Sequence, residues 1–442
     1  MTREALTSAT TAASAPGGSE RVNGRLPKLL VVTLFAPGGH HGGAICVRRL
    51  LRDYPADRLF WVDHVSHETP LRDGDWPGPE IPRLSLAMLR RPNRAGLRWM
   101  MELGNWTFHA EHVAAQMAEW AGARGVEAVL GIGPGVSVWT SCLAARRLRV
   151  PLHLWVHDDP DAYAAGHHCA APLRWHLRRR FRLAYREAGA RYVISEPMRE
   201  YYREQTGCDA TVLPPSIGEM SRTLPNSCLR QASNEGSGAV RIGFAGSVTG
   251  TRAWEAFLRA MERLFAGGSG GRRPEITVHA DPDAVRVPAS VRERGWIRQC
   301  GWGSTDAVDA SLAAMDYLYL PLDFDPSRRL LTATSLSTKF VSYLRVGVPI
   351  LCHVPSHSAV ARFVKRHPVG PLLDTMDIGL LAERLGAVFE SRRDWQRRLA
   401  CSWPSAVAEF DHKTLVERFH GALLAPPGAA ACAGPSVEPT CT

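Results

Sequence analysis

The sequence predicts an α/β protein built from two doubly wound parallel-sheet halves that face each other across a cleft. Three observations predict it. Uninterrupted apolar runs of strand length, such as KLLVVTLF at 28–35 and YLYLPL at 317–322, suit strands buried on both faces. Helical segments alternate with these runs, as parallel crossovers require. Each half also opens on a strand, a glycine-rich turn and a helix, with APGGHHGGA at 36–44 and GSVTG at 246–250 as the turns. The expected divisions are a disordered leader at 1–26, a first half at 27–218, a linker at 219–238, a second half at 239–386, returning helices at 387–424 and a disordered tail at 425–442.

Composition narrows the class. A chain of 442 residues has the length of two or three domains, and 45% hydrophobic with 22% charged residues is an ordinary globular balance. The net charge of +10 suits an anionic partner, but no aromatic and basic signature of nucleic-acid binding accompanies it. Ten cysteines lie without a CxxC pair or metal-ligand spacing, which suits a reducing compartment better than a disulfide framework. No run reaches the ~18 uncharged apolar residues that cross a bilayer, and 1–25 lacks the apolar core of a signal peptide. The expected location is the cytoplasm, with peripheral contact to the inner membrane face left open.

In the first half, 28–35 is the leading strand, followed by the glycine turn and a helix at 45–54. The turn is not GxGxxG, so a dinucleotide reading is weak. His40 and His41 either contact a substrate or are simply solvated. A strand at 59–64 follows, then an exposed Pro- and Arg-rich excursion at 77–98, and a helix at 104–122 with Trp106, His109 and Val113 on one face. Strand 128–132 ends in GIGPG at 131–135, and a helix at 138–148 leads to strand 151–156. Ligands of such sheets sit outside the carboxyl ends of the strands. The 38–43 loop, the 131–135 loop and His157-Asp158-Asp159 converge there. This last cluster orients or protonates a substrate hydroxyl, binds a metal or caps a helix. His167-His168-Cys169 does not make a tetrahedral zinc site, since adjacent residues cannot easily share one ion. The stretch 173–191 carries seven arginines, with Leu173, Leu177, Phe181 and Tyr185 at four-residue spacing. It is a helix packed on the sheet, with its cationic faces either plain surface or a contact for an anionic membrane or acceptor.

The second half is expected to place strands at 240–245, 276–279, 300–302, 317–320 and 350–353, with helices at 252–265 and 306–315. Its most informative stretch is 316–349, a strand, a polar loop and a helix from Lys339 to Val346 closed by Gly347. Ser335, Ser337 and Thr338 sit at the helix start beside Lys339. Free N–H groups, the helix dipole and the ammonium all favour a phosphate there. The plainer alternative is that these hydroxyls only cap the helix.

The ordered set WVHDDP at 155–160, YVISEPM at 192–198, VLPPS at 212–216, IGFAGSV at 242–248, YLYLPL at 317–322, SLSTKF at 335–340, GVPIL at 347–351 and HVPSHS at 353–358 resembles the GT-B glycosyltransferases of the retaining, family 4-like type. The resemblance runs from about 28 to 424. It implies two Rossmann-like domains, an acceptor on the first and a nucleotide-sugar on the second, a C-terminal helix returning to the first domain, and transfer without a metal or other cofactor. It implies a donor-diphosphate site at Gly246, Ser247, Arg252, Ser335, Ser337, Thr338 and Lys339. It places His157, with Asp158, at the reaction centre and the sugar near Gly42 and Gly43. One departure stands out. Many members carry two glutamates eight positions apart, where this chain has Thr334 and Ser342. Ser342 is then left to hold ribose by its hydroxyl, and Asp323 or Asp325 to reach the sugar. The alternatives are a GT-B-like binding or scaffolding protein without catalysis, and a nucleotide-sugar epimerase of the same fold, which needs a carboxylate-rich cleft.

Overall fold

The computed structural model describes residues 26–37, 42–65, 80–89, 95–166, 171–218, 238–266, 273–281, 285–301 and 303–425. The expected leader up to 25, His40 and His41, the His167-His168-Cys169 run, the linker at 219–237 and the tail from 426 lie outside the described residues.

The first sheet has strands β1 (Leu29–Thr33), β2 (Leu59–Val65), β3 (Arg83–Ala87), β4 (Ala128–Gly133), β5 (Leu152–Val156), β6 (Ala190–Val193) and β7 (Thr211–Val212). They lie in the order β3-β2-β1-β4-β5-β6-β7, and every pairing is parallel. The second sheet has β8 (Ala239–Ala245), β9 (Arg273–His279), β10 (Ile297–Gln299), β11 (Tyr317–Pro321), β12 (Ile350–His353) and β13 (Leu372–Leu373). Its order is β10-β9-β8-β11-β12-β13, again all parallel. The central strands carry apolar residues on both faces because helices cover both. Leu29, Leu30, Val31 and Val32 are fully buried, as are Tyr317, Leu318 and Tyr319 in the second sheet.

Helices α1 (Gly42–Leu51), α2 (Ala95–Trp106), α3 (Phe108–Gly122), α4 (Val136–Leu148), α5 (Pro160–Gly166), α6 (Ala171–Glu187) and α7 (Glu196–Thr206) belong to the first half. The second half has α8 (Thr251–Phe265), α9 (Ala289–Glu293), α10 (Thr305–Ala313), α11 (Arg329–Thr334), α12 (Thr338–Val346), α13 (Ala359–Arg366) and α14 (Ile378–Glu390). The chain closes with α15 (Arg392–Ala408) and α16 (His412–Leu424). No helix among the described residues is long and apolar enough to cross a membrane.

Several expectations need correction. The excursion at 77–98 contains the edge strand β3. Its Arg83 and Ser85 reach across to the buried Asp63 at 2.6 and 3.1 Å, so the polar alternation marks a half-covered edge. The helix at 104–122 is two helices, α2 and α3, parted at Thr107, whose hydroxyl bonds back to the Leu103 carbonyl at 2.7 Å. The polar loop after β11 contains a 3-10 turn, Pro326–Arg328, and α11. The strand expected at 300–302 is β10, displaced to Ile297–Gln299. Cys46, Cys142, Cys300, Cys352 and Cys401 are free thiols, whereas Cys208 takes part in a disulfide.

Two stretches of backbone cross between the halves side by side. The Ile217 N–H donates to the Phe410 carbonyl at 3.0 Å, and the His412 ring sits 3.1 Å from both the Ser216 hydroxyl and the Asp53 carboxylate. Beyond this crossing α16 packs into the first core through Leu415, Phe419 and Leu423. α15 packs into the second through Leu399, Trp403 and Ala406. Trp403 is fully buried, and its indole N–H donates to the Leu344 carbonyl at 2.8 Å, on the helix that carries the candidate phosphate anchor. Trp403→Ala is therefore expected to cost the second half about 3–5 kcal/mol, seen as a lower midpoint of its thermal transition. An unchanged midpoint would show that α15 is only laid on its surface.

Candidate active site

The facing carboxyl ends of the two sheets enclose a cavity of about 750 Å³. From the first half it is lined by Leu34 and Phe35 after β1, Gly42, Gly43 and Cys46 of α1, Gly133 and Pro134 at the end of β4, and His157 and Asp158 after β5. The second half supplies Thr249, Leu322, Asp323, Arg328, Thr332, Ser335, Ser337 and Thr338. Six expected loci thus come together in one space: the α1 glycines, the His157-Asp158 pair, Asp323, and Ser335, Ser337 and Thr338.

Two helix N-termini meet in this cavity. A Cβ on Gly42, the first residue of α1, would stand only 3.0 Å from the Thr338 hydroxyl, at the first residue of α12. Cys46, one turn into α1, contacts the same hydroxyl at 3.4 Å, and burial pushes its thiol up to about 11. Ser337 caps α12 in extended conformation but makes no capping bond with its side chain. First-turn N–H groups have no partner inside their own helix, so both helices present positive ends here.

Lys339 stands one residue deeper. Its ammonium donates to the Ser247 carbonyl at 2.6 Å and lies 4.1 Å from the centre of the Phe244 ring. Although the residue keeps some exposure to solvent, this end is held between a ring and a backbone carbonyl with no carboxylate beside it. Burial pulls its pKa down to about 7. Gly246 makes the position possible, because at φ 96° its absent Cβ would lie 3.2 Å from Lys339 Cε. Gly250 does the same for the neighbouring turn, since a Cβ there would strike the Leu322 carbonyl oxygen at 2.5 Å. Tyr343 holds the β8 end from the other side, its hydroxyl accepting from the Ala245 N–H at 2.8 Å.

The His157-Asp158-Asp159 cluster divides its labour. His157 is buried edge-on to Trp155, ring centres 4.4 Å apart, and the Trp155 indole is locked to the Leu213 carbonyl at 3.0 Å. Asp158 accepts from the Ser335 hydroxyl at 2.8 Å, a bond between the two halves. Burial holds its carboxyl above the usual range, with the Ser335 bond pulling the other way. Asp159 turns away and caps α5, accepting from the Asp161 and Ala162 N–H groups at 2.8 and 3.0 Å and from the Tyr202 hydroxyl at 2.9 Å. It is the helix cap among the three.

Other expected residues stand outside the lining. Gly246 and Ser247 act through Lys339. Arg252 is exposed at the start of α8, close enough to Asp325 to lower its carboxyl after the Ser327 N–H has done so. Ser342 lies further along α12 and does not line the cavity. Asp325 caps the 3-10 turn through the Ser327 N–H at 2.9 Å. The Thr334 carbonyl accepts from the Ser195 hydroxyl and its own hydroxyl bonds the Leu330 carbonyl at 2.8 Å, so it too serves the fold. Sequence reasoning missed Arg328, Thr332 and Tyr163 as lining residues, while Thr249 comes from the expected 246–250 turn. The signal for Arg328 was the Asp325-Pro326 pair, which starts a turn and sets the next residues in place. A second cavity, of about 710 Å³, lies at the crossing by Asp53, Pro404, Asp411 and His412, away from the strand ends.

No protein-family model and no curated protein matches the sequence. Solved structures do match over most of the chain. The Anabaena protein HepE in complex with UDP is 14% identical over 89% of this chain and 99% of its own, with a TM-score of 0.60. Sucrose-phosphate synthase from Thermosynechococcus elongatus is 12% identical over 89% and 97%, with a TM-score of 0.58. The α,α-trehalose 6-phosphate synthase of Burkholderia multivorans is 12% identical over 90% and 96%, also at 0.58. With its two parallel sheets, the chain has the GT-B fold. Gly246→Ala is expected to cost on the order of 1–2 kcal/mol through the positive φ and to push Lys339 off the Ser247 carbonyl. Denaturant unfolding alongside nucleotide titration checks both, and wild-type values in each would remove the role given to this glycine.

Proposed function

We propose that the chain transfers a sugar from a nucleotide-sugar to an acceptor hydroxyl with retention at the anomeric carbon, in glycan, polysaccharide or glycosylated-metabolite synthesis. The observation that carries this reading is the meeting of the α1 and α12 N-termini beside Lys339, inside a cavity at the carboxyl ends of both sheets. A nucleoside diphosphate leaves as negative charge develops on its β-phosphate, and catalysis needs fixed positive charge and N–H donors there. Ser337, Thr338 and Lys339 supply them without a metal ion. His157 and Asp158, across the cavity, face the position of the sugar. Retention rests on the sequence resemblance. That the solved neighbours include a UDP complex and two sugar synthases supports the donor class.

An epimerase of this fold needs free carboxylates in the cleft. The two in this cavity, Asp158 and Asp323, accept from the Ser335 hydroxyl and the Asp325 N–H at 2.8 and 2.9 Å, which disfavours that reading. A catalytically silent binding protein would keep the nucleotide site but release no sugar.

The acceptor side of the proposal includes an anionic membrane surface. On α6 the exposed residues Trp175, Arg179, Arg182 and Leu183 form one stripe flanked by Arg178, which also pairs with Asp161 at 3.5 Å, and Arg179 lies 5.6 Å from the centre of the Trp175 ring. Arg180 is not part of it, because its guanidinium turns inward to the Trp106 carbonyl and the Trp139 ring.

A thermal-shift and calorimetric screen with UDP, GDP, TDP, ADP and their sugars tests the donor site. A ligand at a hundred times its Kd should stabilise the protein by about 2.7 kcal/mol. The pKa of Lys339 gives this binding a sign. In the free protein it lies at about 7, below the ordinary 10.5, so near pH 8 the amine is mostly neutral. Its own contribution to stability therefore rises with pH between those values. A bound diphosphate favours the charged form, so binding at pH 8 takes up a proton and weakens as pH rises above 7. Lys339→Met should abolish the proton uptake and weaken binding tenfold or more. No affinity for any nucleotide would sink the transferase reading; tight binding with no sugar release or transfer would leave the silent protein. For the membrane, Arg178→Ala, Arg179→Ala and Arg182→Ala together should strip the protein from phosphatidylglycerol vesicles, at about 1 kcal/mol per arginine. Wild-type protein that ignores such vesicles would leave α6 a structural helix.

A further inference from the structure

Among the described residues that line the cavity, Arg328 carries the one permanent positive charge. Its place is built rather than incidental. Asp325 accepts the Ser327 N–H at 2.9 Å, the Arg328 N–H closes the turn on the Asp325 carbonyl at 2.9 Å, and Pro326 fixes the first φ. Arg328 is then the residue from which α11 departs, half-buried at the cavity wall.

The surroundings leave its charge available. Arg328 forms no ion pair among the described residues. Asp323 gives one oxygen to the Asp325 N–H at 2.9 Å, and Asp158 is bonded to Ser335 at 2.8 Å. One turn along, Thr332 lines the same wall and meets His357 Nε2 at 3.2 Å, while Arg329 meets His357 Nδ1 at 3.4 Å. A guanidinium can only donate, so Nδ1 accepts and Nε2 carries the proton toward Thr332. His357 is thereby a neutral strut behind this wall.

The geometry also sets a distance. α11 spans Arg329–Thr334 between Arg328 and Ser335, which places them about 10 Å apart along its axis at 1.5 Å per residue. The diphosphate anchors at Ser337–Lys339 lie past the Ser335 end. Arg328 therefore lines the same cavity about one short helix away from those anchors. Thr334 and Ser342, where the resembling family often places acids, are neutral, so no carboxylate there opposes an anion. A guanidinium fork pairs with a carboxylate or phosphate through two parallel bonds.

We infer that Arg328 receives an anionic group, a carboxylate or a phosphate monoester, borne by the sugar portion of the substrates. The inference rests on the nucleotide-sugar reading above. The group has two possible carriers: the donor, as a hexuronic acid, or the acceptor, as a sugar phosphate. Calorimetry on the full chain separates them with UDP-glucose against UDP-glucuronate, and, in saturating UDP, glucose against glucose 6-phosphate. At least one charged member should bind tenfold or more tightly than its neutral counterpart. Arg328→Gln should erase that preference while leaving UDP affinity within twofold, and Arg328→Lys should restore part of it. Equal affinity within both pairs, or a preference that survives Arg328→Gln, overturns the assignment while UDP binding keeps the nucleotide site itself intact. A chain that binds none of UDP, GDP, TDP and ADP overturns both, and where another of these binds, its sugars replace the UDP pair.

Discussion

The approach of Gly42 to Thr338 is the contact on which the rest of the site depends. A side chain at the start of α1 would crowd this point, since a Cβ on Gly42 would stand only 3.0 Å from the Thr338 hydroxyl. Because each helix belongs to a different sheet, that contact brings two positive helix ends onto one spot from two independent cores. Each end alone is worth fractions of a kcal/mol to a solvated anion, and two ends at one spot would add. The cost is visible at Lys339, whose ammonium is held against an aromatic ring with its charge partly suppressed.

Contacts around this point make the same junction polar. Ser335 reaches Asp158, Ser195 reaches the Thr334 carbonyl, and Arg362 pairs with Glu200 through two bonds of 2.9 and 3.0 Å. Such bonds exchange readily with water. The two halves are thus held in register by directional links rather than by a shared apolar core, and each keeps its own hydrophobic clusters.

Much of this was legible in the sequence, for physical reasons that differ by residue. β1, β4, β5 and β11 announced themselves because a strand covered on both faces must be apolar throughout. The start of α12 was legible because Ser337, Thr338 and Gly347 are the residues that begin and end helices. β3 was not, since half its surface is exposed and Arg83 and Ser85 resemble loop residues until Asp63 is seen beneath them. Asp158 and Asp159 could not be told apart, because neighbours in sequence point to opposite sides only once the α5 start is placed. Ser342 was assigned by counting from a family pattern, whereas the cavity wall is formed by the preceding turn. Arg328 escaped because a six-residue helix has too little periodicity to declare itself.

The double crossing near Ile217 and Phe410 has a mechanical meaning. One connecting strand is a swivel, free to bend and to twist. Two strands joined by a backbone hydrogen bond, with His412 pinned between Ser216 and Asp53, form a strap hinge with a single axis. A bend shared by both would part the halves as pages open, whereas a sideways slide would have to break the Ile217–Phe410 bond.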